Sequence, residues 1–413
     1  MHIAIIGSGP AGCYLADHLL RLLPDASIDI LEKLPVPFGL IRYGVAPDHQ
    51  STKNVARVFD RMLGRDRVQL FGNVEVGRDV KLDELLSFYD AVVLATGAAR
   101  DRRLEIPGED LPGVLGSGKF VGWYNGHPHS QSPTVDAVKS AVVIGNGNVA
   151  LDVARILAKG PDELAGSDLP GEVLDWLEAQ PLETVHIVGR RDAAYAKFNE
   201  HELAELGTLQ RARPVVNPAD LVGDGAVVKV LRNLAEAPKR ETPVTIHFHF
   251  NLTPTAFLGD SKLAAVQFRS GSGEVIEIPA QLAVTCIGYE SLPCCSASPQ
   301  NGVFANDNGK IGERLYVVGW AKRGPSGTIP TNRAEAQLVA QKIAREIRSN
   351  GMPGGEGLQK ILEERSVRWV NYAGWRNIDA AELSRAGTSR CREKFCSTNE
   401  MLDVAHAGQV LPA

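Results

Sequence analysis

The feature that most constrains this chain is a glycine-rich turn, Gly7-Ser8-Gly9-Pro10-Ala11-Gly12, set between an apolar run and a helical pattern. The run His2-Ile3-Ala4-Ile5-Ile6 has the continuous apolar character of a strand buried on both faces. Residues 13–23 follow with Leu15, Ala16, Leu19, Leu20 and Leu23 at the spacing of one helix face. A second strand is predicted over 27–31 and ends in Glu32-Lys33. Strand, glycine turn, helix, strand and acid make a complete βαβ unit, which commits this part of the chain to a parallel sheet. Each part has a mechanical reason. Gly7 permits the tight turn, Gly9 lets backbone approach a pyrophosphate, and Gly12 allows helix and strand to pack closely. The helix N-terminus offers N–H groups and a positive dipole end to phosphate. Glu32, 20 residues past Gly12, can accept from both ribose hydroxyls and would repel a 2′-phosphate. The site is expected to take FAD or NAD rather than NADP. The alternative is a glycine turn in a non-binding α/β domain.

The pattern returns once. Ser140-Ala141-Val142-Val143-Ile144 runs into Gly145-Asn146-Gly147-Asn148-Val149-Ala150, with a helix predicted over 151–158. The next strand, 184–188, ends in Gly189-Arg190-Arg191, with no acid where the first unit has Glu32. Two guanidiniums can clamp a 2′-phosphate with charge-assisted bonds; the alternative is a solvated basic turn. Two sites of opposite charge preference imply two cofactors, a flavin in the first and NADPH in the second. The expected economy is NADPH to FAD to a further acceptor.

Between and beyond these units lie a glycine- and proline-rich loop over 34–50, of the kind that carries function inside a domain, and a helix predicted over 52–63. Strands are predicted over 89–97, 244–250, 282–288 and 315–320, with a hairpin of strands 263–268 and 275–278 around 271–273. A helix is predicted over 333–348 and another over 358–367, after which the tail reads as irregular. The fold class is therefore α/β, with two Rossmann-like dinucleotide-binding domains.

Composition removes other classes. With 413 residues, two or three domains are expected. A net charge of 44 − 49 = −5 argues against a nucleic-acid coat. No apolar run reaches the ~18 residues a membrane span needs. The first strand begins at His2, so no signal peptide is expected and the default location is cytoplasmic. None of the six cysteines has C-x-x-C spacing, which speaks against a redox-active disulfide, a zinc half-site or an iron–sulfur cluster in this chain. The adjacent Cys294-Cys295 pair reads as two reduced thiols, and Cys13 as packing.

The chain resembles the adrenodoxin reductase-like family of FAD-dependent ferredoxin–NADP reductases, which has bacterial members. The resemblance is carried by both glycine loops, by Gly39-Leu40-Ile41-Arg42-Tyr43-Gly44-Val45-Ala46-Pro47-Asp48-His49, and by Ala95-Thr96-Gly97. It continues through Leu151-Asp152-Val153-Ala154-Arg155, Gly189-Arg190-Arg191, Gly319-Trp320-Ala321-Lys322-Arg323-Gly324-Pro325 and the tail segment Arg392-Glu393-Lys394-Phe395. It implies that the NADP domain (106–306) is inserted into the FAD domain (1–105 and 307–413). It implies that Gly7, Gly9, Pro10, Ala11, Gly12, Glu32, Lys33, Gly39, Leu40, Val45, Ala95, Thr96 and Gly97 line the FAD site. It implies that Gly145, Asn146, Gly147, Asn148, Val149, Arg190, Arg191 and Glu202 hold NADP(H), and that Gly319, Trp320, Gly327, Thr328 and Ile329 meet the isoalloxazine and nicotinamide. His49, linked to Glu205, is implied near the flavin. Glu202 and Glu205 are three apart on a helix predicted over 199–206, so they share a face. Pro330 stands where the family commonly has glycine. It removes a backbone donor but suits the first turn of a helix.

The implied activity is transfer of hydride from NADPH to FAD N5, then of single electrons to an iron–sulfur ferredoxin. Ferredoxins are acidic. Residues 190–240 hold nine Lys or Arg, including Arg211, Arg213, Arg232, Lys239 and Arg240, against seven acids, a modest basic excess for a transient, charge-steered partner. The competing readings are an NADPH-dependent flavoprotein acting on a small molecule such as a quinone, and a flavin-binding subunit without turnover.

Overall fold

Alternation along the first strand decides the layering of the first unit. In the computed structural model, which describes residues 1–294, 297–388 and 390–407, His2–Ile6 turns Ile3 and Ile5 to one face and Ala4 and Ile6 to the other, all buried. Two apolar faces need two covering layers. Helices Pro10–Leu22 and Ile329–Glu346 cover one with Leu15, Leu19, Val339 and Ile343. Helices Leu82–Phe88 and Gly355–Glu364 cover the other with Leu85, Leu358 and Leu362. The five strands are all parallel, in the order Leu315–Val317, Ala91–Leu94, His2–Ile6, Ser27–Glu32, Val68–Gly72. The chain leaves the central strand toward one edge and later returns to its other side. The glycine turn therefore sits at the point where strand order reverses.

The chain forms two units, Met1–Arg100 with Tyr289–Ala413, and Asp101–Gly288. The crossings thus fall at 100/101 and 288/289 rather than at the expected 105/106 and 306/307. Asp101 goes with the second unit because its carboxylate accepts from the backbone N–H groups of Gly118 (2.6 Å) and Lys119 (3.3 Å), at the start of helix Ser117–Tyr124. Residues 289–306 go with the first because Ser291 Oγ donates to the Gly97 carbonyl (2.9 Å) and the Phe304 N–H to the Ala321 carbonyl (2.9 Å).

The second unit has its own parallel sheet, ordered Val114–Gly116, Leu282–Thr285, Ser140–Ile144, Thr184–Val188, Val244–His249, Ala212–Val215. Helix Asn148–Ala158 covers one face with Leu151 and Ala154. The other face is covered by an antiparallel meander that puts Phe257, Val266, Phe268 and Ile278 against Val142 and Ile144. The predicted hairpin is its last two strands, Ala265–Ser270 and Val275–Pro279; the first, Leu252–Leu258, was not expected.

Other elements differ from expectation. The helix predicted over 52–63 is two pieces, Gln50–Lys53 and Ala56–Leu63. Helix Ala226–Glu236 was not expected, and the tail read as irregular holds helices Tyr372–Arg385 and Thr398–Ala405. Cys295 lies outside the described residues. Among the described residues, no helix is long and apolar enough to cross a membrane and no group of His, Cys, Asp and Glu is arranged to hold a metal ion.

Candidate nucleotide sites

The first glycine turn folds as its spacing predicts, for steric reasons. Gly7 has φ +111°, and a Cβ there would lie 2.4 Å from the Ala95 carbonyl oxygen. A Cβ on Gly12 would lie 2.1 Å from the Gly7 carbonyl oxygen. Gly9 is different, since a Cβ there would meet nothing within 4 Å. It precedes helix Pro10–Leu22, whose N-terminus carries no side-chain cap. The N–H groups of that first turn, including Ala11, are thus left for an anion. Thr96 Oγ1, at the end of the neighbouring strand, is buried without a hydrogen-bond partner among the described residues. Open N–H groups, a bare Gly9 and an unanswered hydroxyl are the features a bound dinucleotide completes, so these residues fit FAD.

Glu32 ends its strand buried beside this turn. Its Oε2 accepts from the N–H (3.1 Å) and Oγ (2.6 Å) of Ser8, and its Oε1 from the Leu34 N–H (3.2 Å). Much of its acceptor capacity is therefore spent on shaping the turn. Ser8, which also accepts from the Phe38 N–H at 3.2 Å, ties Glu32 and the following loop to the turn, a role that the glycine pattern alone does not flag. Lys33 is exposed. Cys13 is fully buried and donates to the Ser8 carbonyl; burial pushes its thiol far above the usual range, so it is packing.

The loop over 34–50 seats on the same turn. Gly39 has φ +48°, and a Cβ there would come within 3.2 Å of the Gly9 Cα. The short helix Leu40–Tyr43 follows, with Leu40 46% exposed; Val45 and His49 are half-buried. Behind it, Arg42 is buried and bonds Glu382, which also accepts from Arg392 Nη1 (2.8 Å) and from the Phe395 N–H (3.0 Å). Arg392 Nη2 reaches Asp379 at 2.6 Å. Burial alone would raise the Glu382 carboxyl, but the Arg42 and Arg392 guanidiniums outweigh it and hold it below its ordinary value. The tail segment recognised in the sequence thus anchors the loop that carries His49.

Strand Leu315–Val317 ends at the same carboxyl edge. Gly319 has φ +74°, and a Cβ there would lie 2.5 Å from the Ala11 Cβ. Its turn, with Trp320 stacked on Tyr289 (centroids 6.0 Å apart), leads to Gly327, Thr328 and the helix beginning at Ile329. Pro330 sits in that helix's first turn, as its ring requires. Glu335, one turn further on, was not flagged by sequence; it is buried beneath Gly319 and bonds Gly319 N–H, Lys322 and Arg323.

In the second unit, Gly145 has φ +146°, and a Cβ there would lie 2.4 Å from the Cys286 carbonyl oxygen. A Cβ on Gly147 would meet nothing within 4 Å, and no side chain caps helix Asn148–Ala158, whose first turn holds Asn148 and Val149. Asn146 lies against Gly189, with its Oδ1 buried and without a hydrogen-bond partner among the described residues. Asn148 Oδ1 accepts from the Asn199 N–H at 2.6 Å, which leaves its amide NH₂ available. Arg190 and Arg191 are exposed at the strand end and make no ion pair among the described residues; Arg191 lies 6.0 Å from the Tyr195 ring. These groups fit a 2′-phosphorylated dinucleotide. Asn199 caps helix Glu200–Glu205, on which Glu202 is half-buried and Glu205 lies 3.8 Å from the buried Arg155.

Comparison with known proteins places the chain among relatives of the same fold. The family described as Pyridine nucleotide-disulphide oxidoreductase matches residues 1–314. The chain is 38% identical to human mitochondrial NADPH:adrenodoxin oxidoreductase, covering 97% of this chain and 91% of that one. It is 39% identical to NADPH-ferredoxin reductase FprA of Mycobacterium tuberculosis, covering 98% of each. The solved structure of Mycobacterium tuberculosis FprA in complex with NADPH superposes with a TM-score of 0.92 over 98% of this chain and 99% of that one, at 38% identity. The chain belongs to the pyridine nucleotide-disulphide oxidoreductase family, within its adrenodoxin reductase-like branch.

Proposed function

We propose that this chain is an NADPH-dependent, FAD-containing ferredoxin reductase. The observation that carries this reading is the charge contrast between its two glycine-loop cradles. A buried carboxylate, Glu32, stands at the first, and two exposed guanidiniums, Arg190 and Arg191, stand at the second. The full-length likeness to reductases named for NADPH and ferredoxin or adrenodoxin supports it.

FAD, when bound, supplies the conversion between two-electron hydride chemistry and one-electron transfer. The residues do the rest. Gly9 and the N–H groups after it bind pyrophosphate, and Glu32 orients the ribose. Gly147 and Asn148 bind the second pyrophosphate, and Arg190 with Arg191 selects the 2′-phosphate. The catalytic roles belong to His49 and Glu205, as groups that hold and move a proton. The electron acceptor is an acidic iron–sulfur ferredoxin, met by basic side chains of 190–240 such as Arg213, Lys239 and Arg240, and the working location is the cytoplasm.

The test is anaerobic stopped-flow absorbance of the purified yellow protein. NADPH is expected to bleach the flavin band fast and NADH much more slowly, and ferredoxin is expected to reoxidise the enzyme. A flavin that neither coenzyme bleaches would overturn the reading. Turnover with quinones but with no ferredoxin would replace the proposed acceptor.

A further inference from the structure

We infer that Glu335 is a positioning residue that sets the reduction potential of the bound flavin, by consuming two cations at the turn after strand Leu315–Val317. The inference rests on the FAD reading above. The placement comes from topology. Glu32 marks the ribose over strand Ser27–Glu32, and the pyrophosphate cradle follows the central strand. A dinucleotide laid along this carboxyl edge then continues over the next strands in order, whose ends are 95–97 and 319–323. Val318 N–H bonds the Leu94 carbonyl at 3.0 Å, and Gly319 abuts Ala11, so these ends form one continuous rim.

That rim carries Lys322 and Arg323 side by side. Both turn back onto the buried Glu335, Lys322 Nζ to Oε1 at 3.0 Å and Arg323 Nη1 to Oε2. Oε2 also accepts from the Gly319 N–H at 3.1 Å. Arg323 goes on to bond the Ser326 carbonyl (3.0 Å) and Asn332 Oδ1 (2.9 Å), and Trp320 Nε1 donates to the same Ser326 carbonyl (3.1 Å). One carboxylate thus does two things. It fixes both ends of the turn, and it lowers the local charge from +2 to +1.

The charge has a chemical consequence. Hydride transfer delivers two electrons and one proton, so NADPH and oxidised flavin give NADP⁺ and a reduced flavin with one more negative charge. A cation nearby favours that product and a carboxylate disfavours it. Glu335 therefore holds the potential lower than the bare Lys322–Arg323 pair would, which keeps the reduced enzyme a stronger donor.

The experiment is spectroelectrochemical titration of the FAD-loaded protein without NADPH or ferredoxin. Glu335→Gln keeps the shape and removes the charge. Its midpoint is expected to rise by an amount equal to about a tenfold change in the two-electron equilibrium, about 30 mV. Glu335→Asp keeps the charge and is expected to stay near wild type. Lys322→Gln, which leaves the Arg323–Glu335 pair in place, is expected to move the midpoint the other way, and it decides the matter if Glu335→Gln sheds its flavin. Unchanged midpoints in Glu335→Gln and Lys322→Gln would overturn the inference while leaving the reductase reading intact. A wild-type chain that takes up no FAD would overturn both.

Discussion

Asp29 sits three residues before Glu32 on the same strand, but on the opposite face of the sheet, and it makes a quantitative prediction. Its side chain is buried, accepts one hydrogen bond from Tyr89 Oη at 2.9 Å, and packs against the start of helix Gly355–Glu364. Burial, only partly offset by the Tyr89 bond, pushes its carboxyl from the ordinary 3.8 up to about 6. A shift of about two units at 1.36 kcal/mol each makes ionised Asp29 cost the fold about 3 kcal/mol. The sign follows from proton counting. Between pH 4 and 6 the folded chain holds a proton there that the unfolded chain has released, so stability falls as pH rises through this window. Below it there is no difference, and above it the whole cost applies. An asparagine side chain at this position would keep an acceptor for Tyr89 and never ionise. Asp29→Asn is expected to match wild type near pH 4 and to exceed it by about 3 kcal/mol at pH 7.5, raising Tm there by several degrees. The assay is thermal unfolding of both proteins, saturated with FAD, across pH 4–8. A difference that does not grow with pH, or a substituted protein less stable than wild type at pH 7.5, would refute the burial argument.

Three further outcomes are expected. Arg190→Ala with Arg191→Ala should raise the NADPH KM on the order of 100-fold, as loss of two charge-assisted contacts implies, and leave NADH kinetics nearly unchanged; equal effects on both coenzymes would dismiss the 2′-phosphate clamp. His49→Ala should retain FAD yet turn over more slowly, with an altered pH profile of kcat, and an unchanged profile would remove His49 from the chemistry. Gly12→Ala would press a methyl to 2.1 Å from the Gly7 carbonyl oxygen, so the purified protein should lose its yellow colour, and full flavin occupancy would refute the close-packing argument for that glycine.

Ser8, Glu335 and Glu382 show why some of the buried bonds around the candidate site are not legible in the sequence. Glycine spacing is a local signal, because a tight turn and a close helix need particular residues at particular places whatever surrounds them. Gly7, Gly9, Gly12, Gly145 and Gly147 therefore declared themselves. Ser8 faces Glu32 across 24 positions and Arg42 faces Glu382 across 340, and no local pattern encodes such meetings. Helix Tyr372–Arg385 was missed for the same reason. Its inward face includes Asp379 and Glu382 beside Trp375 and Ile378, so its sequence lacks the apolar stripe of an ordinary surface helix. Charges read as solvent-facing until Arg42 and Arg392 are seen to meet them.

What the sequence determined by itself was the pair of βαβ units, each a strand, a glycine turn, a helix and a second strand, with an acid after the first unit and two arginines after the second. The units follow from backbone sterics and hydrophobic periodicity, which are local signals within each stretch of chain. What only the tertiary structure decided was where the chain divides, at 100/101 and 288/289, and which buried charges are matched. Both depend on contacts between segments far apart in the chain, since the energy of a buried charge is set by the partner that folding brings to it.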